Sequence, residues 1–219
     1  MNMRTKFGIG VLAALLAGAP AMARAQDARW SIDPRGGLTL PIGNLKNIEK
    51  PGFAAGIGIA YWVMPRVAVR ADVAADVMSS KDQTHAGILV NDVPDVSLYS
   101  YTGGVEFRLT PPDQERWDVT VNVGAGATTL DTNSATAFET ASGGLQTDFT
   151  KTYFSGVGLV KFGYKASDMV DLYLSGGARL VKTKKADTGV FSAFSSNLPS
   201  AGFGSVVTFP IQLGVRASF

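Results

Sequence analysis

From Val207 to Phe219 apolar residues fall at every second position. Val207, Phe209, Ile211, Leu213, Val215, Ala217 and Phe219 are separated mostly by Thr208, Gln212, Gly214, Arg216 and Ser218. A pleated strand sends successive side chains to opposite faces, so this spacing predicts a strand with two chemically different sides. The pattern recurs. Val67, Val69, Ala71, Val73, Ala75 and Val77 alternate with a set that includes Arg70, Asp72 and Asp76. Trp117, Val119, Val121, Val123 and Ala125 alternate with Asp118, Thr120, Asn122 and Gly124. Eight such segments are predicted, at about 29–40, 53–63, 67–77, 97–109, 117–129, 153–164, 170–182 and 205–219. No helical period of useful length runs through them.

The connections alternate in length. Short ones lie at 64–66, 110–116 and 165–169, and long ones at 41–52, 78–96, 130–152 and 183–204. Short turns on one side and long loops on the other predict an up-and-down, eight-stranded antiparallel transmembrane β-barrel, all-β in class. Gly56-Ile-Gly58, Gly103-Gly104, Gly156-Val-Gly158 and Gly214 recur at hairpin spacing. No helix is predicted after them, so they are not a dinucleotide-binding motif.

Alternation alone does not say which face points outward. A soluble barrel would need roughly 25–35% charge on its surface, and the whole chain has 17%. The polar faces are rich in Gly, Ser and Thr, which suit the crowded interior of a small barrel. Trp30, Tyr61, Trp62, Phe107, Trp117, Phe162, Tyr164 and Phe219 gather near the short-turn ends, as an interfacial girdle would. The apolar face is therefore expected to meet lipid. Asp33, Arg35, Arg70, Asp72, Asp76, Glu106, Arg108, Asp118, Lys161, Asp171, Arg179 and Arg216 then point inward, six acidic and six basic. Turning Arg70 and Lys161 to the midplane would cost about 2–4 kcal/mol each. A balanced lumen suggests ion pairs that fill it, whereas a selective pore favours an excess of one sign.

Met1 to Lys6 carries Arg4 and Lys6, an apolar run follows from Phe7 to Ala23, and Ala23-Arg24-Ala25 fits a cleavage site. Residues 1–25 are expected to be a secretory signal peptide, with the barrel domain at 26–219. Without that segment 17 basic residues face 18 acidic ones, against +2 for the full chain. So neutral a chain has no electrostatic footprint for nucleic acid. The absence of cysteine excludes a disulfide framework, a thiolate metal site and a lipoprotein anchor.

With these segments placed, the chain resembles the small bacterial outer-membrane β-barrels, OmpA- and OmpX-like and more loosely OmpW-like. The resemblance covers about 26–219. It rests most on Phe209-Pro-Ile-Gln-Leu-Gly-Val-Arg-Ala-Ser-Phe219 and on the opening strand Pro34-Arg-Gly-Gly-Leu-Thr-Leu-Pro-Ile-Gly43. It implies an outer-membrane location with periplasmic termini. It also implies that Gly214, Val215, Ala217 and Phe219 form the signal read by the barrel-assembly machinery. Family members serve as structural proteins, adhesins, narrow channels or lipid A enzymes, and the fold alone does not choose among them.

Catalytic chemistry is scarce. The one histidine, His85, is followed by Ala86-Gly87, unlike the His and Ser two residues apart in the barrel lipid A deacylases. Asp82, Asp92, Asp95 and Asp131 show no ordered calcium spacing. No enzyme, cofactor or metal site is expected. Lys182, Lys184 and Lys185, with Phe191 and Phe194 beyond them, suggest contact with lipopolysaccharide or an extracellular partner. The expected role is structural or surface-interacting. A narrow channel is the alternative, because Trp62, Tyr153, Val157, Leu159, Tyr173 and Val181 share the inward phase. Pro34 and Pro210 fall on the first and last strands, which raises a bulge at Pro34 or Pro210, giving either a lateral route to lipid or a soft point during closure, against the reading that each proline meets a ready-made bulge or lies beyond the hydrocarbon with no function.

Overall fold

A computed structural model describes residues 29–81, 83–85, 88–90, 95–111, 116–132, 149–185 and 204–219. The expected signal peptide lies outside the described residues. Eight strands close into an antiparallel barrel: β1 (Trp30–Ile42), β2 (Gly52–Met64), β3 (Val67–Met78), β6 (Val96–Arg108), β7 (Trp117–Thr132), β8 (Phe149–Lys165), β9 (Val170–Val181) and β10 (Val206–Ser218). Each pairs with its neighbours in sequence among these eight, and β1 pairs with β10. Two short strands, β4 (Gln83–His85) and β5 (Ile88–Val90), form a separate hairpin in the second long connection. A single 3-10 turn, Leu45–Asn47, sits in the first.

The start of β1 meets the last residue at the short-turn end. The Trp30 N–H donates to the Phe219 carbonyl at 3.0 Å, and the Phe219 N–H returns a bond to the Trp30 carbonyl at 2.9 Å. Alternation places Val69, Val73, Val77, Val123, Phe154, Leu174, Ile211 and Leu213 on an exposed outer face. An apolar belt of this extent is tolerable only against lipid. Trp30, Phe107, Trp117, Phe162, Tyr164 and Phe219 ring the short-turn end, with Trp30 on Tyr61 and Trp117 on Tyr164 at 4.9 and 5.2 Å between ring centroids. Trp62 departs from that ring and turns inward, beneath Arg108. Phe53, Tyr99, Tyr101 and Phe154 are exposed toward the other end and supply a second aromatic ring.

The seam does not bulge. Pairing keeps one register on both sides of Pro34, with Ile32 opposite Ala217 and Arg35 opposite Gly214, and continues through Thr39 opposite Pro210. The two prolines also serve different interfaces. Pro34 interrupts pairing toward β10 while remaining opposite Ile57 on β2, whereas Pro210 interrupts pairing toward β9. Each interface loses one donor and the ladder resumes beyond it. The register shift lies instead between Trp62 and Met64, at the β2–β3 turn. Close approach at the seam is secured by Gly37, where a Cβ would lie 2.1 Å from the Ile211 carbonyl oxygen. Glycine there lets strands coil tightly enough to close a small barrel.

Candidate functional site

All twelve inward-phase charged residues lie on the inner face. Ten are buried; Arg108 and Asp171 are half-buried. The strands stack them in layers. Near the short-turn end Arg108 meets Asp118 at 3.2 Å, and the Thr110 hydroxyl donates to Asp118 at 2.7 Å. The Arg108 and Arg216 guanidinium carbons lie 4.4 and 5.8 Å from the Trp62 ring centroid. A cation over an indole face is attracted by the ring quadrupole, so Trp62 closes this layer while keeping the guanidiniums inside.

The middle layer is a continuous ion lattice centred on Asp33. That carboxylate accepts bonds from Arg35 at 3.1 Å, Lys161 at 3.2 Å, the Tyr173 hydroxyl at 3.1 Å, and Arg70. Arg70 also donates to Asp72 at 2.6 Å and Glu106 at 3.0 Å. Glu106 takes Lys161 at 2.9 Å and Arg216 as well. Arg35 closes the group through Asp72 at 2.7 Å and Gln212 at 3.1 Å. Burying ions costs several kcal/mol each unless their partners are well placed; here each cation of the layer has at least two carboxylates within 4 Å. Glycines make the space. A Cβ on Gly58 would lie 1.8 Å from the Arg70 guanidinium, and one on Gly214 would lie 2.3 Å from the Tyr173 ring.

Above the lattice Arg179 pairs with Asp76, which also accepts from Thr208 at 3.1 Å. Ser100, Thr128 and Ser155 form a hydroxyl chain with 2.8 Å links. The long-loop end is shut by an apolar cap. Leu45 and Ile48 of the first connection meet Met78, Val96, Leu98, Leu130, Tyr153, Val181 and Val206. Burying Leu45 and Ile48 is worth roughly 1.5–3 kcal/mol each, which keeps the first connection folded inward. Beside the cap, Glu49 is fully buried, and among the described residues neither carboxyl oxygen has a hydrogen-bond partner. Burial, reinforced by Asp95 and opposed by Lys81, pushes this carboxyl up to about 9.

The inward apolar residues fall in different layers. Tyr153 and Val181 belong to the cap, and Tyr173 is bonded into the lattice. A cavity of about 10 Å³ lies among Asp118, Thr120, Lys161, Gly163, Asp171, Tyr173 and Arg216, room for about one water. Asp171 lines that space.

The remaining predicted residues are placed as follows. Gly214 faces the lumen, whereas Val215 and Ala217 lie on the outer phase of β10 and Phe219 is exposed just beyond it. Lys182, Lys184 and Lys185 are exposed just beyond β9. Phe191 and Phe194 lie outside the described residues. The backbone of His85 lies on β4. Among the described residues no group of three or more His, Cys, Asp or Glu could hold a metal ion. Inward phase singled out Trp62 and Tyr173 as lumen lining but not as partners of the lattice, and Gln212, Asn122 and Glu49 were not among the predicted site residues. The pairing of Gly214 with Tyr173 is a sequence-level trace of one of them.

No family model and no curated protein matches the sequence. Among solved structures, the chain is similar to neisserial surface protein A, at 14% identity over 87% of this chain and 97% of that one, with a TM-score of 0.53. This is the fold of the small eight-stranded outer-membrane β-barrels. The attachment invasion locus protein Ail of Yersinia pestis matches at 13% identity over 88% and 97%, with a TM-score of 0.47. OprG of Pseudomonas aeruginosa matches at 8% identity over the same shares, with a TM-score of 0.46.

Proposed function

We propose that the protein is an integral outer-membrane barrel with a non-enzymatic role: a sealed anchor that carries four long loops outside the cell, with both chain ends in the periplasm. The filled lumen carries this reading. Ion lattice, Asp76–Arg179 pair and apolar cap lie in series, and the space among Asp118, Lys161, Asp171 and Arg216 is about 10 Å³. The apolar belt with two aromatic rings supports the membrane location, and the fold shared with neisserial surface protein A agrees with it. The long loops are the surface left for partners. Lys182, Lys184 and Lys185, with Phe191 and Phe194 following in sequence, suit lipopolysaccharide phosphates and acyl chains. Gly214, Val215, Ala217 and Phe219 serve as the assembly signal.

Two measurements test this reading. Because the chain has no cysteine, Lys184→Cys and Ser167→Cys report topology cleanly. A membrane-impermeant thiol reagent on intact cells is expected to label Lys184→Cys and to spare Ser167→Cys; the reverse would overturn the orientation. Proteoliposomes should show no swelling in small sugars. Swelling by the wild-type protein would replace the sealed anchor with the narrow channel.

A further inference from the structure

We propose that the first long connection is an acid-held latch: with Glu49 protonated it stays seated in the barrel mouth, and ionisation of Glu49 releases it. Gly43, at φ 65°, turns the chain inward after β1, a backbone conformation that favours glycine. The 3-10 turn then places Leu45 and Ile48 in the cap. Hydrogen bonds tie the segment to the residues that follow β3. The Lys50 N–H donates to the Ser79 carbonyl at 2.8 Å, the Lys81 N–H to the Ile48 carbonyl at 2.7 Å, and the Lys81 ammonium to the Lys46 carbonyl. Glu49 bridges Ser80 through its backbone, so its side chain lies where the segment joins the barrel wall.

That side chain is fully buried, and among the described residues neither of its oxygens has a hydrogen-bond partner. A buried carboxylate without hydrogen bonds is far costlier than a buried neutral acid. The groups around it do not offset the charge. From the end of β3 comes Lys81, whose ammonium is bonded to Lys46. From the start of β6 comes Asp95, of the same sign, which accepts the Ser80 N–H at 3.0 Å. On the segment itself Lys46 and Lys50 are exposed. The cap beside it is Met78, Val96, Leu98, Leu130, Val206, Val181 and the phenol of Tyr153. Beneath the cap Asp76 is paired with Arg179.

The sign follows from linkage. The acid is raised from 4.5 to about 9 in the seated state. Seating is therefore strongest below about pH 4.5 and weakens about tenfold per pH unit up to about 9. Acidification tightens the latch, and mild alkali frees it.

Amide hydrogen exchange of the whole barrel in nanodiscs tests this. Chemistry alone raises the logarithm of the exchange rate by about one per pH unit, and a latch that opens by losing one proton adds about one more. Between about pH 5 and 8 the Glu49, Lys50 and Lys81 amides are expected to show a slope near two. The Arg108 amide, bonded to the Arg66 carbonyl at the opposite end, should show a slope near one or less. Glu49→Gln, which stays neutral, should bring the three amides to a slope near one and slow their exchange at pH 8. Should Glu49→Gln fail to assemble, Asp95→Asn serves: by removing the facing like charge it must end the steep range at a lower pH. Slopes near one in the wild type, or unchanged steep slopes in Glu49→Gln, would overturn the latch.

Discussion

Glu106→Gln keeps the shape of a fully buried side chain and deletes one charge from the lattice. Glu106 accepts from Lys161 at 2.9 Å, from Arg70 at 3.0 Å and from Arg216. Below the Asp76–Arg179 pair, Asp33, Asp72, Glu106, Asp118 and Asp171 face Arg35, Arg70, Arg108, Lys161 and Arg216, so the variant leaves one cation uncompensated. Stranding one partner of a buried pair typically costs 3–5 kcal/mol. The lower end applies here because the cations keep other carboxylates: Asp33 lies 3.2 Å from Lys161 and 3.8 Å from Arg216, and Asp72 lies 2.6 Å from Arg70. The expected loss is about 3 kcal/mol, roughly a hundredfold in the unfolding equilibrium. Urea titration of barrel refolded into vesicles, followed by heat-dependent gel migration, measures it. Adding Lys161→Met restores neutrality and should recover at least half of the loss. A single variant within about 0.5 kcal/mol of wild type, or a double variant no better than the single, would refute the lattice as a charge-balanced unit.

Other outcomes follow from the same geometry. Gly58→Ala drives a methyl into the Arg70 guanidinium and should cost about 1–3 kcal/mol, whereas Gly158→Ala, with nothing within 4 Å of its Cβ, should stay within about 0.5 kcal/mol in the same titration. Deleting Phe219 removes the 2.9 and 3.0 Å bonds to Trp30 along with the proposed assembly signal; outer-membrane yield should fall with periplasmic degradation, and full yield would dismiss the signal. Changing Lys182, Lys184 and Lys185 together to Gln should reduce lipopolysaccharide retained through a salt series, and unchanged retention would dismiss the contact.

The strand phase was legible because one face carries charges that lipid does not tolerate. Arg70 and Asp72 fix β3, Lys161 fixes β8 and Arg216 fixes β10, so the eight strands and the inner face follow from alternation. The wiring of the lumen was not legible. Asp33 meets Lys161 and Tyr173 across 128 and 140 residues, and which inward residues converge depends on strand tilt and register across the barrel. Trp62 combined two readings, girdle by position and lumen by phase, and its contacts with Arg108 and Arg216 decide for the lumen. The expected bulge at Pro34 and Pro210 failed for a geometric reason. A strand offers its donors alternately to two neighbours, so two prolines on adjacent strands need not weaken one seam, and here they do not. Glu49 resembled an ordinary loop carboxylate between Ile48 and Lys50; only the inward fold of its segment buries it.

Planar-bilayer recording of the purified, refolded wild-type barrel tests the central claim, that ion pairs and an apolar cap fill the lumen end to end. The filled lumen predicts a current indistinguishable from the bare bilayer in salt at neutral pH. Discrete, reproducible conductance steps from the wild-type protein would contradict it.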